Sequence, residues 1–199
     1  YEVRLLYNIL AVNTQRVREP PLLWRDLLKP QYRGLLAMPD PNFSGAALAT
    51  VGTLAGRLGF SFFEGLREQG MRIEQSNPVL QQKLGRGEYG LAITTDFGVR
   101  QEIARGAPLA VVYPRDGAIL VPTPVAVTSW SKNPQLAVRF LQFLLSPEAQ
   151  GIFAERGYYP VIPGAPRPRG APERVTGLRA QFADEATLAR FNSLFELRR

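Results

Sequence analysis

Short apolar segments alternate with helical segments along residues 3–113, and this alternation restricts the fold more than any other feature of the sequence. The apolar segments are typical of buried strands, and the segments between them are bounded by helix-capping and helix-ending residues such as Ser44 and Gly59. Strands that alternate with helices are typical of an α/β fold, in which most neighbouring strands run parallel. We therefore expect a mixed, mostly parallel sheet flanked by helices. The predicted strands are residues 3–12, 35–38, 71–74, 90–95 and 109–113, and the predicted helices are residues 22–28, 45–58, 60–68, 77–85 and 97–104. Asn77 is the predicted cap of the fourth helix, with Pro78 at its first helical position.

The remainder of the chain departs from this alternation. Residues 118–128 form an extended segment in which Pro122 and Pro124 restrict hydrogen bonding, as at a sheet edge or a crossing between lobes. Two consecutive helices are predicted within residues 133–157, the first of them capped by an Asn-Pro pair. Residues 160–172 contain five prolines and predict an irregular connector. A final amphipathic helix carries Leu188, Phe191, Leu194 and Phe195.

The residue types that the chain lacks exclude most catalytic chemistry. There is no Cys and no His, which excludes thiol nucleophiles, thiolate metal sites and His-based acid–base relays. The acidic residues form no close cluster in the sequence, and Lys29, Lys83 and Lys132 lie in polar surroundings. We therefore predict that the chain is not an enzyme, and we assign it no cofactor and no metal-ligating residue.

The net charge of +7 raises the hypothesis of a nucleic-acid partner. The positive excess is spread along the chain, at +2 over residues 1–40, +2 over residues 41–159 and +3 over residues 160–199. No basic block is interleaved with aromatic residues, as a surface for single strands requires. We therefore predict no nucleic-acid partner, and we interpret Trp24 and Trp130 as packing residues rather than as a stacking platform.

Several elements in consistent order resemble the ferric-iron-type family of periplasmic solute-binding proteins, which serve ABC importers. The Ser-Pro-Glu-Ala-Gln segment at residues 146–150 is the most specific of them. The resemblance implies a type II periplasmic binding fold, in which two α/β lobes joined by crossing strands close on a solute. The other elements are residues 21–28, residues 32–34, Asp40-Pro41 with Ser44-Gly45, residues 87–90, Asp116-Gly117, residues 133–145 and residues 157–161.

The resemblance assigns each part of the chain to an element of that fold, and it implies that most of a first lobe precedes Tyr1. The helix pair would belong to this first lobe, so we expect its apolar face to be exposed and to permit dimerisation. The expected parts are a first crossing strand (1–13), the α/β substrate-binding lobe (14–117), a second crossing strand (118–128), the helix pair of the first lobe (129–158), and the Pro-rich connector with the C-terminal helix (159–199).

Ser44, Gly45 and Ala46 form the first candidate site for a solute. Ser is a preferred N-cap, and small residues after it leave the amides of the first helical turn uncovered. A helix N-terminus attracts negative charge, so Ser44 Oγ and the two amides suit a phosphate, phosphonate or carboxylate group. The alternative interpretation is that Ser44 only caps its own helix.

Thr94, Thr95 and Asp96 form the second candidate site, because they follow the carboxyl end of a predicted strand, where open α/β sheets bind ligands. The hydroxyl groups suit an anion, and Asp96 suits an amine; the alternative is that Asp96 caps the next helix. Asn8 is a third candidate, on the first crossing strand. Iron-binding members of the family commonly have paired tyrosines where this chain has Asp96-Phe97, which disfavours iron bound by tyrosines.

Together these features predict the extracytoplasmic or periplasmic solute-binding component of an ABC transporter, with a small solute and a membrane permease as its partners. An anionic organic solute, such as a phosphonate or a sugar phosphate, is favoured, and ferric iron is the other solute considered. The alternative function is the effector-sensing domain of a LysR-type transcriptional regulator, which shares the fold.

Overall fold

The computed structural model describes residues 1–197, so the last two residues of the predicted C-terminal segment lie outside the described part. The chain divides into two compact units. Unit 1 comprises Tyr1–Leu6 and Pro122–Glu173. Unit 2 comprises Tyr7–Val121 and the chain from Arg174 onwards, and it contains every residue of the candidate sites.

Helices and strands alternate as the sequence predicts. The strands are β1 (Glu2–Asn13), β2 (Leu36–Pro39), β3 (Arg72–Glu74), β4 (Leu91–Thr95), β5 (Leu109–Val112), β6 (Ala118–Pro124) and β7 (Gly177–Arg179). The α-helices are α1 (Gly45–Leu58), α2 (Ser61–Glu68), α3 (Asn77–Gly85), α4 (Asp96–Ala104), α5 (Pro134–Leu144), α6 (Pro147–Glu155) and α7 (Glu185–Phe195), and two 3-10 turns lie at Trp24–Leu28 and Pro30–Tyr32. Within residues 1–197 no single helix meets the length and hydropathy expected of a membrane span, and the α1–α2 pair meets them only jointly, across a bend of 112°.

The sheet is mixed, which confirms the predicted fold class. Its strands follow the order β3–β2–β4–β1–β6–β7, and β5 also pairs with β1. Strand β2 runs parallel to β3 and β4, and β6 runs parallel to β7, whereas β1 is antiparallel to β4 and β5. Because β2, β3 and β4 are parallel, their carboxyl ends at Pro39, Glu74 and Thr95 meet at one edge of the sheet.

The core of unit 2 lies between this sheet and helices α3 and α4. Ile9 and Ala11 of β1 are fully buried there, together with Leu80 and Leu84 of α3 and Val99 of α4. Each buried Ile, Leu or Val side chain contributes about 1.5–3 kcal/mol to folding. The same packing fixes the end of β4 relative to the start of α3, which is where the candidate site residues lie.

Three local expectations are wrong in detail, and one strand was not predicted. The cap of α3 is Ser76, whose Oγ accepts from Val79 N at 3.5 Å, and not Asn77, which is already helical. The segment at residues 22–28 forms a 3-10 turn rather than an α-helix, and the strand predicted at residues 118–128 ends at Pro124. Strand β7 has no counterpart among the predicted elements, because its three residues are ordered by pairing with β6 rather than by a pattern of their own.

Helices α5 and α6 of unit 1 expose large apolar side chains, as expected for residues 129–158. Leu136 is 63% exposed and Phe140 is 59% exposed, and the Phe140 and Phe143 rings stack with centroids 6.4 Å apart. Trp130, which precedes α5, is 81% exposed, so its interpretation as a packing residue is wrong. The same interpretation is right for Trp24, which is buried and donates from Nε1 to Gly117 O at 2.8 Å.

Candidate functional site

The start of α1 presents the first candidate group. Ser44 is the N-cap, in extended conformation, and its Oγ accepts from Ala47 N at 3.2 Å, so the capping role is real. Gly45 is exposed and Ala46 is half-buried. Among the described residues, no hydrogen-bond acceptor reaches the amides of Gly45 and Ala46. These two N–H groups stand at the positive end of a 14-residue helix, where negative charge is stabilised.

A chain of hydrogen bonds runs from the interior of unit 2 to Ser44. Gln81 Nε2 donates to Thr94 Oγ1 at 2.9 Å, and Thr94 Oγ1 donates to Asn77 Oδ1 at 2.7 Å. Asn77 Nδ2 then donates to Ser44 Oγ at 3.0 Å. Gln81 and Thr94 are almost fully buried, whereas Asn77 and Ser44 are half-buried. The hydrogen bonds of this series therefore all run in one direction, with each group donating to the next one towards Ser44.

This direction determines what the Ser44 hydroxyl does. A hydroxyl oxygen has two lone pairs, and those of Ser44 already accept from Ala47 N and Asn77 Nδ2. Its own O–H finds no acceptor among the described residues. The group is thus disposed to donate outward, beside the amides of Gly45 and Ala46. Three donors and a helix N-terminus at one place suit an anionic oxygen.

Asn8 holds this helix start against the sheet. It is 2% exposed, and its Nδ2 donates to Ala46 O at 2.6 Å and to Thr50 Oγ1 at 2.9 Å. On β1 it lies opposite Thr95 of β4. Its donors are therefore used to fix the first turns of α1, and the structure brings Asn8, Ala46 and Ser44 together.

Both carboxylate oxygens of Asp96 accept hydrogen bonds from other groups of the protein. The residue is fully buried; Oδ1 accepts from the amides of Tyr7 and Phe97, at 3.1 and 2.8 Å. Oδ2 accepts from Arg100 Nη1 and from Tyr113 Oη, both at 3.0 Å. Burial raises the pKa of Asp96 above its usual range, although Arg100 and the hydrogen bonds oppose that rise. Asp96 is the first residue of α4, and the cap position itself belongs to Thr95.

Thr95 also accepts hydrogen bonds from Gln81, in helix α3. It is 3% exposed, and its Oγ1 and backbone carbonyl accept from Gln81 Nε2 at 3.1 and 3.3 Å. Thr94 and Thr95 are thus both held by one amide group. The structure connects Thr94 to Ser44 through Asn77 and links Thr95 to Thr94 through Gln81, whereas the carboxylate of Asp96 makes its hydrogen bonds with other groups.

Asn77 and Gln81 contact the candidate site residues, and sequence reasoning missed both of them. Both lie on α3, four residues apart and hence on one face of the helix. Asn77 was assigned to capping because Asn-Pro is a common helix start, although the neighbouring Ser76 is also of a preferred capping type. Gln81 had no local signal, since a polar residue in a helix is ordinarily solvent-exposed.

A second polar cluster lies at the carboxyl end of β3. Glu74 Oε1 accepts from Lys83 Nζ at 2.7 Å and also from the Tyr89 hydroxyl. Burial favours a higher pKa for Glu74, but the hydrogen bonds from Lys83 and Tyr89 outweigh it, and the pKa falls below its usual value. Burial, assisted by Glu74, raises the pKa of Tyr89 to about 12. The cluster ties β3 to the end of α3 and to the segment that leads into β4.

A protein-family profile described as bacterial extracellular solute-binding protein matches residues 3–183. The chain is 29% identical, over 177 residues, to the phosphoglycerate transport regulatory protein PgtC of Salmonella typhimurium, covering 85% of this chain and 44% of that protein. It is 25% identical, over 179 residues, to the spermidine/putrescine-binding periplasmic protein of the same organism, covering 84% of this chain and 50% of that protein. The chain thus spans about half the length of these relatives.

The fold is also that of solved binding proteins. The substrate-binding protein of an ABC transporter from Agrobacterium tumefaciens superposes with a TM-score of 0.82, over 98% of this chain and 66% of that one, at 16% identity. At this identity the similarity concerns the fold alone. The matched family and the structural neighbours are binding proteins and not enzymes.

Proposed function

The chain belongs to the family of bacterial extracellular solute-binding proteins, and on that premise we propose that it grips a small solute and that the whole protein delivers this solute to an ABC transporter permease. The matched family favours this function over the effector-sensing domain of a transcriptional regulator. The solute is captured on the extracytoplasmic side, in the periplasm, and closure of two lobes around it strengthens charged contacts by excluding water.

The solute is an organic anion that carries a phosphate, phosphonate or carboxylate group. The observation that supports this is the one-way chain of hydrogen bonds that leaves the Ser44 hydroxyl as a donor. An anionic oxygen placed there also accepts hydrogen bonds from the amides of Gly45 and Ala46. Hydrogen bonds to a charged partner contribute about 1.5–3 kcal/mol each, roughly twice a neutral one. The relative PgtC, whose name refers to phosphoglycerate transport, is consistent with this class.

A polyamine fits the same groups poorly. A cation needs acceptors, but the lone pairs of Ser44 already accept hydrogen bonds, and Asp96 is buried among four donors. Ferric iron held by paired tyrosines is disfavoured as well, because the chain has Asp96-Phe97 at the corresponding place. Within residues 1–197 no three carboxylates come close enough to hold a metal ion.

Titration calorimetry on the full-length protein tests the solute class. The solutes are inorganic phosphate, phosphoglycerate, spermidine and ferric citrate. We expect Ser44→Ala to weaken the binding of the phosphate compounds about tenfold, because a donor to a charged oxygen is lost. Tight binding of spermidine, with no measurable binding of phosphate compounds, would contradict the proposed class.

Ser146→Ala is the matched control. Ser146 caps α6 as Ser44 caps α1, with Ala149 N donating to its Oγ at 3.3 Å. Each substitution removes one cap and is expected to cost about 1 kcal/mol of stability. Only Ser44→Ala should change affinity. Equal losses of affinity in both variants would assign the effect to stability and remove Ser44 from the site.

We also propose that the apolar face of α5 packs on a first lobe in a protein of the relatives' full length. The face consists of Leu136, Phe140 and Phe143, all exposed, and stacked rings of this size are seldom left in water. The same face would pair with a second copy of the chain wherever that lobe is lacking.

A further inference from the structure

The C-terminal segment of unit 2 lies directly on helix α1. After β7, the backbone of residues 181–183 passes so close to Gly52 that a Cβ at this position would overlap it. Thr53 holds the same segment, because its Oγ1 accepts from Gln181 N at 2.9 Å. Helix α7 therefore starts from a fixed point on α1.

Helix α7 then packs apolar side chains against α1 and α2. Phe191 is fully buried and meets the ring of Phe63 edge-on, with centroids 5.3 Å apart. Phe195 packs on Phe191, with centroids 4.6 Å apart. Asn192 lies beside these rings and is only 6% exposed. A buried amide needs hydrogen-bond partners, because leaving one unpaired costs about 1–3 kcal/mol.

The partner of Asn192 is Asn42, in the loop that leads into α1. Nδ2 of each residue donates to Oδ1 of the other, at 2.9 and 3.0 Å. Asn42 Nδ2 also donates to Asp40 Oδ1 at 2.7 Å. The carbonyl of Asp40 accepts from the amides of Phe43 and Ser44, at 3.2 and 3.0 Å. Asn192 is thus linked, through Asn42 and Asp40, to the backbone that presents Ser44.

We infer that Asn192 is a positioning residue of the solute site, through which helix α7 holds residues 40–44 in the conformation that presents Ser44 to an anion. The inference rests on the proposed function of Ser44. A helix with a packing role alone would not need a polar residue at position 192, since an apolar side chain there would be buried without any requirement for a hydrogen-bond partner. The reciprocal amide pair adds a fixed distance and orientation between helix and loop.

Hydrogen exchange of the ligand-free, full-length protein tests the position of the loop. Asn192→Ala is expected to raise amide exchange at residues 43–44 roughly fivefold, the scale of one net hydrogen bond. Arg190→Ala is the matched control on the same helix, because Arg190 pairs with Glu64 and covers the Phe60 ring without touching the loop. It should leave exchange at residues 43–44 unchanged. Unchanged exchange in Asn192→Ala overturns the inference.

Binding of inorganic phosphate gives a second readout, in a double-mutant cycle. Asn192→Ala should weaken binding about fivefold and Asn42→Ala at least as much, because Asn42 also donates to Asp40. The double variant should be no weaker than Asn42→Ala, because the pair is already broken. If Asn192→Ala folds poorly, Asn42→Ala alone breaks the pair from the loop side, and unchanged phosphate binding in that variant overturns the inference. Additive effects overturn the inference. If the unaltered protein binds no phosphate compound, the proposed function fails, and the exchange result still decides the role of α7.

Discussion

Gly98 of α4 lies directly against the side-chain amide of Gln81, and a Cβ on Gly98 would stand 2.7 Å from Gln81 Cδ and overlap the amide atoms beyond it. This close approach lets one amide reach both Thr94 and Thr95. Gln81 is the first donor in the series of hydrogen bonds that ends at Ser44. Because position 98 has no side chain, the Gln81 amide has the room that it needs to start this series.

Gly98→Ala should therefore damage both the fold and the site. Alanine is intrinsically better in a helix by about 1 kcal/mol, but the overlap with Gln81 should reverse the sign and cost about 1–3 kcal/mol. Urea denaturation measures the loss, and titration with phosphate compounds should show weaker binding, since Thr94 loses its donor. Gly151→Ala is the control, because Gly151 lies in α6 with open space around it and should gain about 0.5–1 kcal/mol. A neutral Gly98→Ala would show that Gln81 is free to move.

The cluster around Glu74 predicts an acid-sensitive contribution to stability. The pKa of Glu74 is lower in the folded protein than its usual value, because Lys83 and Tyr89 donate to it and outweigh the effect of burial. A depressed carboxyl pKa contributes stability that is present above the unfolded value of about 4.3 and is lost as the pH falls through the folded value. Glu74→Gln should hence cost about 1–3 kcal/mol near pH 7 and progressively less towards about pH 3.

Chemical denaturation at a series of pH values measures how the stability difference between Glu74→Gln and the unaltered protein shrinks towards acid pH. Glu88→Gln is the control, since Glu88 is an exposed carboxylate that neighbours Tyr89 in the sequence. Its effect should be small at every pH. If the free energies of unfolding of Glu74→Gln and the unaltered protein differed by a constant amount from neutral to acid pH, an ionised Glu74 would be excluded as the centre of the cluster.

The order of strands and helices and the cap at Ser44 were predictable because each has a local signal. An apolar run, a capping residue or a helix-ending glycine such as Gly59, whose φ is 82°, lies within a few residues of the element that it defines. The cap of α3 was misplaced by one residue because Ser76 and Asn77 both suit it. That single residue matters, because it frees the Asn77 side chain to join Thr94 to Ser44.

The remaining site residues could not be predicted, because their roles depend on partners distant in the sequence. Asn42 and Asn192 are 150 residues apart, and the amphipathic pattern of α7 marks only its apolar residues. Asp96 suited a ligand by its place after β4, yet the fold brings the amide of Tyr7, 89 residues away, and the hydroxyl of Tyr113 to its carboxylate. Strand ends thus predict where a site lies, whereas long-range hydrogen bonds determine which of its groups are available to a solute.

The exposed face of α5 predicts self-association of the 199-residue chain. Leu136 and Phe140 project apolar surface that water solvates poorly, and a second copy can cover it. Native mass spectrometry and small-angle scattering over a range of concentrations should show a dimer, and Phe140→Glu should shift it to monomer, because burying an unpaired carboxylate is costly. Gln142→Glu adds the same charge at an exposed position of the same helix and should leave the dimer intact. A monomer at every concentration would show that this face does not join two copies.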